Sequence, residues 1–189
     1  MFKKFLIAAL FIMLVILDAF TYAHTVQKEI ADNVVRLHVI ANSDSLDDQE
    51  LKLKVRDAVL IYMKEKNYAT RNVAYNSLEN SLDEIELIAK KTIEEYGYNY
   101  PVTAELGEFD FPKKDYDQFS FPSGKYTAVR IKIGESIGHN WWCVMYPSLC
   151  LNDDTTEGIT QLQNTLSRES FSIISNNCEI KFKIIDWFN

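Results

Sequence analysis

Several residue types that build enzyme centres are scarce in this sequence of 189 residues. Its three histidines, His24, His38 and His139, lie far apart, and no H-x-x-x-H or C-x-x-C pair supplies the usual spacing of zinc ligands. Its six glycines form no glycine-rich loop of the kind that binds phosphates. The sequence therefore indicates neither a metal centre nor a nucleotide site, and we expect no cofactor.

A surplus of basic residues is also missing. The chain has 20 Lys and Arg against 27 Asp and Glu, a formal net charge of −7. Without residues 1–23, 18 basic and 26 acidic residues remain, and the formal charge is −8. Because nucleic acids and anionic lipids attract basic surfaces, this balance argues against both as partners of the domain. The acidic residues are scattered, which is typical of side chains that keep a protein in solution.

No catalytic pair stands out among the remaining residues. The carboxylates could form a glycosidase pair, but their spacing selects no two of them. His139 and Cys143 could act as base and nucleophile, yet a disulfide with Cys150 would consume the thiol. We therefore expect a protein that is not an enzyme. The alternative is an exported cell-wall or peptide hydrolase that uses His38, Asp44 or His139.

The first 23 residues have the pattern of an export signal. Two lysines precede thirteen apolar residues, Phe5 to Leu17, and Ala23 offers a small residue for cleavage. Thirteen helical residues reach about 20 Å, which is short of a hydrocarbon core of roughly 30 Å. Extension across Asp18 would instead give an uncleaved membrane anchor. We assign residues 1–23 to a signal peptide or membrane anchor and residues 30–189 to one exported domain.

One stretch of eleven residues is rich in tryptophan and cysteine, Asn-Trp-Trp-Cys-Val-Met-Tyr-Pro-Ser-Leu-Cys at positions 140–150. Outside the cytoplasm, Cys143 and Cys150 can close a disulfide loop that stabilises the fold by roughly 2–3 kcal/mol on the chain-entropy model. In a strand, Trp141 and Trp142 would point to opposite faces. Cys178 is left over, and a buried free thiol is favoured there over an intermolecular bridge.

The hydrophobic pattern predicts an α+β fold. Alternating apolar residues predict strands at 34–40, 101–107, 125–134, 142–146 and 179–188. Helical spacing predicts helices at 46–66, 77–96 and, more weakly, 159–175, and Gly97 is placed to end the second. The segments without either pattern are read as connectors or loops, at 24–32, 67–76 and 108–124. We expect a single domain with a four- or five-stranded mixed sheet and two long helices packed on it.

Two stretches of the sequence resemble the stage II sporulation protein R family. The first is Arg-Leu-His-Val-Ile-Ala-Asn-Ser-Asp-Ser at 36–45, which continues through Asp48-Gln49 and residues 51–59. The second is Asn-Trp-Trp-Cys-Val at 140–144, followed by Pro147 and Leu149-Cys150. Residues 181–188 look like the C-terminal strand of that family, so the resemblance spans about residues 30–188. Ser148 departs from it, because the family usually has a second proline there.

The resemblance implies a signalling protein of endospore formation. Members of the family are made in the forespore and exported into the intermembrane space, either secreted or anchored by the N-terminus. There they trigger a membrane-bound aspartic peptidase, the sigma-E factor processing peptidase, to remove the pro-sequence of sigma-E. The resemblance implies no catalytic residues in this chain, because the catalytic aspartates belong to the peptidase.

We expect this chain to contact the peptidase through two surfaces. One surrounds the adjacent tryptophans, because tryptophan is enriched in binding hot spots. The other lies where a strand ends and a helix begins, a position that favours anions. The ordinary alternative for the second surface is a strand histidine followed by a helix-capping loop. The residues expected to bind the partner are Trp141, Trp142, His38, Asn42, Ser43 and Asp44.

Overall fold

The computed structural model describes residues 2–66, 68–116, 118–150 and 156–175. Cys178 and the strand predicted at 179–188 lie outside the described residues. The helices of the described part are α1 Phe2–Asn33, α2 Leu46–Lys64, α3 Arg71–Glu79, α4 Leu82–Glu95, α5 Thr156–Thr165 and α6 Arg168–Ile174. The strands are β1 Val35–Ile40, β2 Val102–Phe111, β3 Lys114–Tyr116, β4 Phe119–Phe121, β5 Gly124–Ile133 and β6 Asn140–Tyr146.

Four strands form one mixed sheet in the order β2-β5-β1-β6. The central strand β1 runs parallel to β5 and antiparallel to β6, while β2 runs antiparallel to β5. Leu37 on β1 lies beside Val129 of β5 and Cys143 of β6. The prediction of a single α+β domain with a mixed sheet is confirmed, and the register places the two family-like stretches on neighbouring strands.

One face of the sheet carries the larger apolar core. Alternate residues of β1, Val35, Leu37 and Val39, are fully buried there, as the alternation predicts. They pack under α2 and α4, whose buried stripes include Leu51, Val55, Val59, Ile85, Ala89 and Ile93. Each fully buried aliphatic side chain of this kind stabilises the fold by about 1.5–3 kcal/mol.

The other face of the sheet is covered by the second half of α1, the β3–β4 hairpin and α6. Buried members of this layer are Val26, Ile30, Phe121, Tyr126, Val144 and Ile173. Arg36 and His38 of β1 also point to this face, because they alternate with the apolar residues of the first face. The central strand therefore has an aliphatic side and a polar-aromatic side.

The loop predicted at 67–76 is wrong, because α3 begins within it. The hydroxyl of Thr70 accepts a hydrogen bond from the Val73 amide at 3.3 Å and caps the helix. Ala74 and Leu78 are fully buried and hold α3 against the core. The polar composition of this segment concealed a helix of nine residues.

The single helix predicted at 77–96 is also wrong, because the chain turns at Asn80 and Ser81 between α3 and α4. The two helices share one apolar stripe, which made them look continuous in the sequence. The predicted end is confirmed, since Gly97 follows α4 with a φ of +83°. The region predicted as one weak helix at 159–175 likewise divides into α5 and α6, with Ser167 capping the second.

The prediction of a long ordered loop or an irregular edge at 108–124 is wrong as well, because most of this segment is regular strand. Strand β2 continues as far as Phe111, and β3 and β4 then form a hairpin. Phe109 pairs with Tyr126 and Phe111 with Gly124, so the extension of β2 stays in register with β5. The connector predicted at 24–32 is also helical, as the second half of α1.

Candidate functional site

Two loops meet at the carboxyl end of β1. Asn42 joins them, because its Oδ1 accepts a hydrogen bond from the Glu135 amide at 2.9 Å. The Ile137 amide donates to the backbone carbonyl of Asn42 at 3.3 Å, and the Gly138 amide donates to that of Ala41 at 3.1 Å. The loop before α2 and the loop before β6 therefore form one hydrogen-bonded unit.

The buried carboxylate of Asp48 fixes the loop before α2 by hydrogen bonds. It accepts hydrogen bonds from the Asn42 side-chain amide at 2.8 Å and from the Ser43 hydroxyl at 2.5 Å. Burial works to raise the pKa of Asp48, but these hydrogen bonds and one from Tyr100 outweigh it and lower the pKa. The Asp48 amide donates to the Ser45 hydroxyl at 3.2 Å, which caps α2. Asn42 and Ser43 thus use their side chains inside the protein.

Asp44 and His139 form an exposed pair across the two loops. Asp44 Oδ1 accepts hydrogen bonds from the backbone N–H of His139 at 2.6 Å and lies 2.5 Å from its Nδ1. The backbone hydrogen bond is the main cause that lowers the pKa of Asp44, and the imidazole lowers it further. The side chains are 78 % exposed for His139 and 55 % for Asp44, so the pair is open to a partner.

His38 lies against Trp142 on the polar-aromatic face. The ring centroids are 3.8 Å apart and the planes are inclined by 18°. His38 Nε2 lies 2.8 Å from Asn140 Oδ1, which can only accept, so Nε2 donates the hydrogen bond. Burial is the main cause that lowers the pKa of His38 to about 4, and Arg130 and Arg36 lower it further. His38 is therefore neutral near pH 7 and serves as a stacking platform.

Arg36 is fully buried next to this stack, in a cage of aromatic rings. Its guanidinium carbon lies 4.1 Å from the ring centroid of Phe111, 4.7 Å from that of Tyr126 and 5.6 Å from that of Phe121. Its Nη2 donates to the Tyr116 hydroxyl at 2.9 Å. In the described part of the chain no carboxylate pairs with Arg36, so its charge is stabilised by cation–π contacts and by hydrogen bonds to Tyr116 and to the backbone carbonyl of Cys143.

Trp141 lies on the opposite face from Trp142, as the strand geometry predicts. It is half-buried against the larger core, and the guanidinium of Arg56 stacks on its ring at 4.9 Å. The predicted disulfide is confirmed, since Cys143 and Cys150 are bonded with their Cα atoms 6.3 Å apart. The Val144 amide also approaches the sulfur of Cys150 at 3.4 Å, so the loop folds back onto β6.

The structure brings most of the expected partner-binding residues to one end of the sheet, but on different surfaces. His38 and Trp142 form one contact on the polar-aromatic face. Asp44 is exposed at the loops, and Trp141 lies on the far face of the sheet. Their binding role stays a prediction. Sequence reasoning missed Asn140, Arg36, Asp48 and Arg56, although each lies within a family-like stretch.

A metal cluster and a free thiol at Cys143 are both missing from the part of the chain that the structure describes. Among residues 2–66, 68–116, 118–150 and 156–175, no three His, Cys, Asp or Glu side chains come close enough to hold a metal ion. Cys143 is consumed by the disulfide and is fully buried. Within the same residues, the ring of His139 has Asp44 as its only hydrogen-bond partner.

Comparison with known sequences decides the family. Residues 31–156, two-thirds of the chain, match the family model described as stage II sporulation protein R. The chain belongs to the stage II sporulation protein R family. A relative with the same name from Bacillus subtilis (strain 168) is 30 % identical over 219 aligned positions, which cover 99 % of this chain and 98 % of the relative. No solved structure matches. Family membership gives this protein a role in sporulation.

The fold explains why the two stretches typical of the stage II sporulation protein R family belong together. The first supplies β1, the capping loop and α2, while the second supplies β6 and the disulfide loop. They meet where His38 pairs with Trp142 in the sheet register and Ile40 pairs with Asn140. A resemblance that looks like two distant motifs in the sequence is one structural unit in this member of the family.

Proposed function

We propose that this protein is an exported signalling ligand that activates the membrane-bound aspartic peptidase which processes pro-sigma-E. The observation that carries the proposal is the meeting of both family stretches at one end of the sheet, where they build an open surface. Its exposed groups are Asp44 and His139 at the loops, and the half-buried Trp142 lies on the polar-aromatic face of β6. These groups suit recognition of a protein partner.

The electrostatics of this surface favour a partner that offers hydrogen bonds and aromatic contacts. Asp44 keeps its negative charge well below neutral pH, since its pKa is lowered. Trp142 packs between the neutral ring of His38 and the ring of Phe111, with the centroids 3.8 Å and 4.6 Å from its own, and its exposed part is available for a contact. The surface is held rigidly by the hydrogen bonds of Asn42 and Asp48, so little ordering is needed on binding.

Activation requires more than binding. A ligand shifts a receptor only by the difference between its affinities for the active and the inactive state. A domain stabilised by a disulfide and a rigid loop unit can present one fixed shape, to which the active peptidase would be complementary. In this proposal the chain supplies that shape and the peptidase supplies the catalytic aspartates.

The test is reconstitution in a bacterium that does not sporulate. The full chain, the peptidase and pro-sigma-E are co-expressed, and processing is followed by immunoblot. We expect processing only when all three are present and none with a peptidase that lacks a catalytic aspartate. Processing that is independent of this chain, or that persists without a functional peptidase, would overturn the proposal.

A second candidate function, an exported wall or peptide hydrolase, is favoured by one observation. Asp44 orients the Nδ1 side of His139 and leaves Nε2 exposed, which is how a carboxylate positions a general base. The hydrolase hypothesis predicts that the purified domain alone releases products from peptidoglycan or peptides, and that His139→Ala abolishes this release. The same variant should retain the fold, because the ring of His139 is exposed.

A further inference from the structure

The apolar N-terminal segment and the folded domain share one unbroken helix. α1 runs from Phe2 to Asn33 and contains neither glycine nor proline. Its large apolar side chains from Phe2 to Leu17 are 49–79 % exposed. In contrast, Ala23, Val26 and Ile30 are buried against the sheet. The change from exposed to packed side chains therefore falls inside a helix, with no linker between the segment and the domain.

The residue at the predicted cleavage position belongs to the packed part. Ala23 is only 3 % exposed, and the preceding Tyr22 donates a hydrogen bond from its hydroxyl to Glu169 at 2.7 Å. About two turns further on, Glu29 accepts hydrogen bonds from the Ser167 amide at 2.7 Å and from the Ser170 hydroxyl at 2.6 Å. These bonds tie α1 to the start of α6 on both sides of the position.

This arrangement opposes proteolysis after Ala23. Proteases cut chain that is exposed and locally unfolded, and the backbone here is helical. The sequence around Ala23 offers no helix breaker that would open it, even before the domain has packed.

We propose that the chain is not cleaved after Ala23 and that α1 remains in the membrane as an anchor, with lipid hydrocarbon covering its exposed apolar half. Residues 5–22, which follow the two lysines, span about 27 Å as a helix, which is close to a hydrocarbon core of roughly 30 Å. Lys3 and Lys4 would stay on the cytoplasmic side, as the positive-inside rule expects. The domain then lies outside, directly against the lipid surface.

The polar residues at the outer end of the segment fit this placement. Tyr22 would lie at the lipid–water interface, where tyrosine is enriched. Asp18 lies about one turn below it, within about 6 Å of the headgroups, so its carboxylate need not enter the hydrocarbon centre. The hydroxyl of Thr21 donates to the backbone carbonyls of Leu17 and Asp18, so its hydrogen-bonding capacity is satisfied within the helix.

The test uses the full chain with a C-terminal tag in a bacterial host that exports it. It does not depend on the proposed function, because its readouts are the mass of the chain and its membrane association. We expect a chain of 21.9 kDa plus the tag that resists extraction by alkaline carbonate and yields to detergent. A chain that begins at His24, or a full-length soluble oligomer with α1 covered by a second copy, would overturn the inference.

A matched pair of variants tests the reason for retention. Phe20→Pro breaks the helix just before the cleavage position, and Phe20→Ala removes the same side chain while keeping the helix. We expect cleavage and release with proline and full-length retention with alanine. Equal release of both variants would contradict the role of the unbroken helix.

Discussion

The imidazole of His38 lies flat on the indole of Trp142, with 3.8 Å between the ring centroids. The two residues are 104 positions apart in the sequence and are partners in the β1–β6 register. The contact joins the two stretches that are typical of the family. His38 is neutral at this contact, because burial and the nearby Arg130 and Arg36 lower its pKa.

The first prediction concerns pH. The pKa of His38 is about 4 in the fold against 6.5 for an unburied histidine, so the unfolded chain takes up a proton first as the pH falls. The free energy of unfolding should therefore decrease between pH 6.5 and 4, by up to about 3 kcal/mol from this group. In His38→Phe, which keeps a stacked ring, urea denaturation should show a smaller decrease over this range. Identical pH dependence in the two proteins would contradict the assignment.

The second prediction concerns signalling. Trp141→Ala and Asp44→Ala should each reduce pro-sigma-E processing in the reconstituted system at least about tenfold, the effect of losing a moderate hot spot. Circular dichroism and thermal unfolding should first establish that both variants are folded. Glu135→Ala is the matched control, because it removes an exposed carboxylate from the neighbouring loop while keeping the amide that bonds to Asn42. Normal signalling by both folded variants would show that the contact lies elsewhere.

The third prediction concerns the disulfide. Replacing Cys143 and Cys150 together by alanine should lower the free energy of unfolding by roughly 2–3 kcal/mol and make it insensitive to reductant. Chemical denaturation with and without dithiothreitol measures both effects. Mass spectrometry of the non-reduced protein should give a Cys143–Cys150 peptide. A peptide that contains Cys178 bonded to either residue would contradict the pairing.

The fourth prediction compares two glycines. A Cβ on Gly138 would lie 2.2 Å from the backbone oxygen of Ser43, so Gly138→Ala must push the two loops apart. We expect a loss of stability of about 2–3 kcal/mol. Gly97→Ala meets open space and carries only the strain of its φ of +83°, about 1 kcal/mol. Thermal unfolding compares them, and an equal loss would mean that the loop contact is loose.

The fifth prediction concerns the buried guanidinium of Arg36. Arg36→Lys keeps a buried charge but loses the planar group that stacks between Phe111 and Tyr126, so it should cost on the order of 3 kcal/mol. Arg36→Met removes the charge and fills similar space, with an expected cost of about 1 kcal/mol. Denaturant unfolding measures both. A lysine variant as stable as the methionine variant would show that the cage tolerates any cation.

The elements that sequence reasoning found are those in which a single period dominates. The alternation in β1 and β5 predicted both strands and their buried sides, because every second residue meets the same core. The capping residues of α3 were not recognised, since Thr70 lies in a polar segment and its helix buries only Ala74 and Leu78. The extension of β2 was missed because the apolar residues of this strand change faces along its length. Val102 and Leu106 belong to the larger core, whereas Phe109 and Phe111 belong to the opposite face.

For the candidate site, the sequence indicated which residues take part but not how they contact one another. The adjacency of Trp142 to His38 depends on the pairing of β1 with β6, and the sequence left that pairing open. Asn42 and Ser43 looked available for a partner, yet their side chains bond to the buried Asp48. Asn42 also accepts a hydrogen bond from the Glu135 amide, 93 positions away, and no local pattern reveals that contact.

Because α1 is continuous, the orientation of the domain would depend on the thickness of the bilayer. A transmembrane helix adjusts to a thinner or thicker hydrocarbon layer by changing its tilt. Here the same rod continues under the sheet as far as Asn33, so a change of tilt would turn the whole domain by the same angle. Asp44 and Trp142 would then move in an arc above the lipid. Membrane composition would thus govern which way this protein faces.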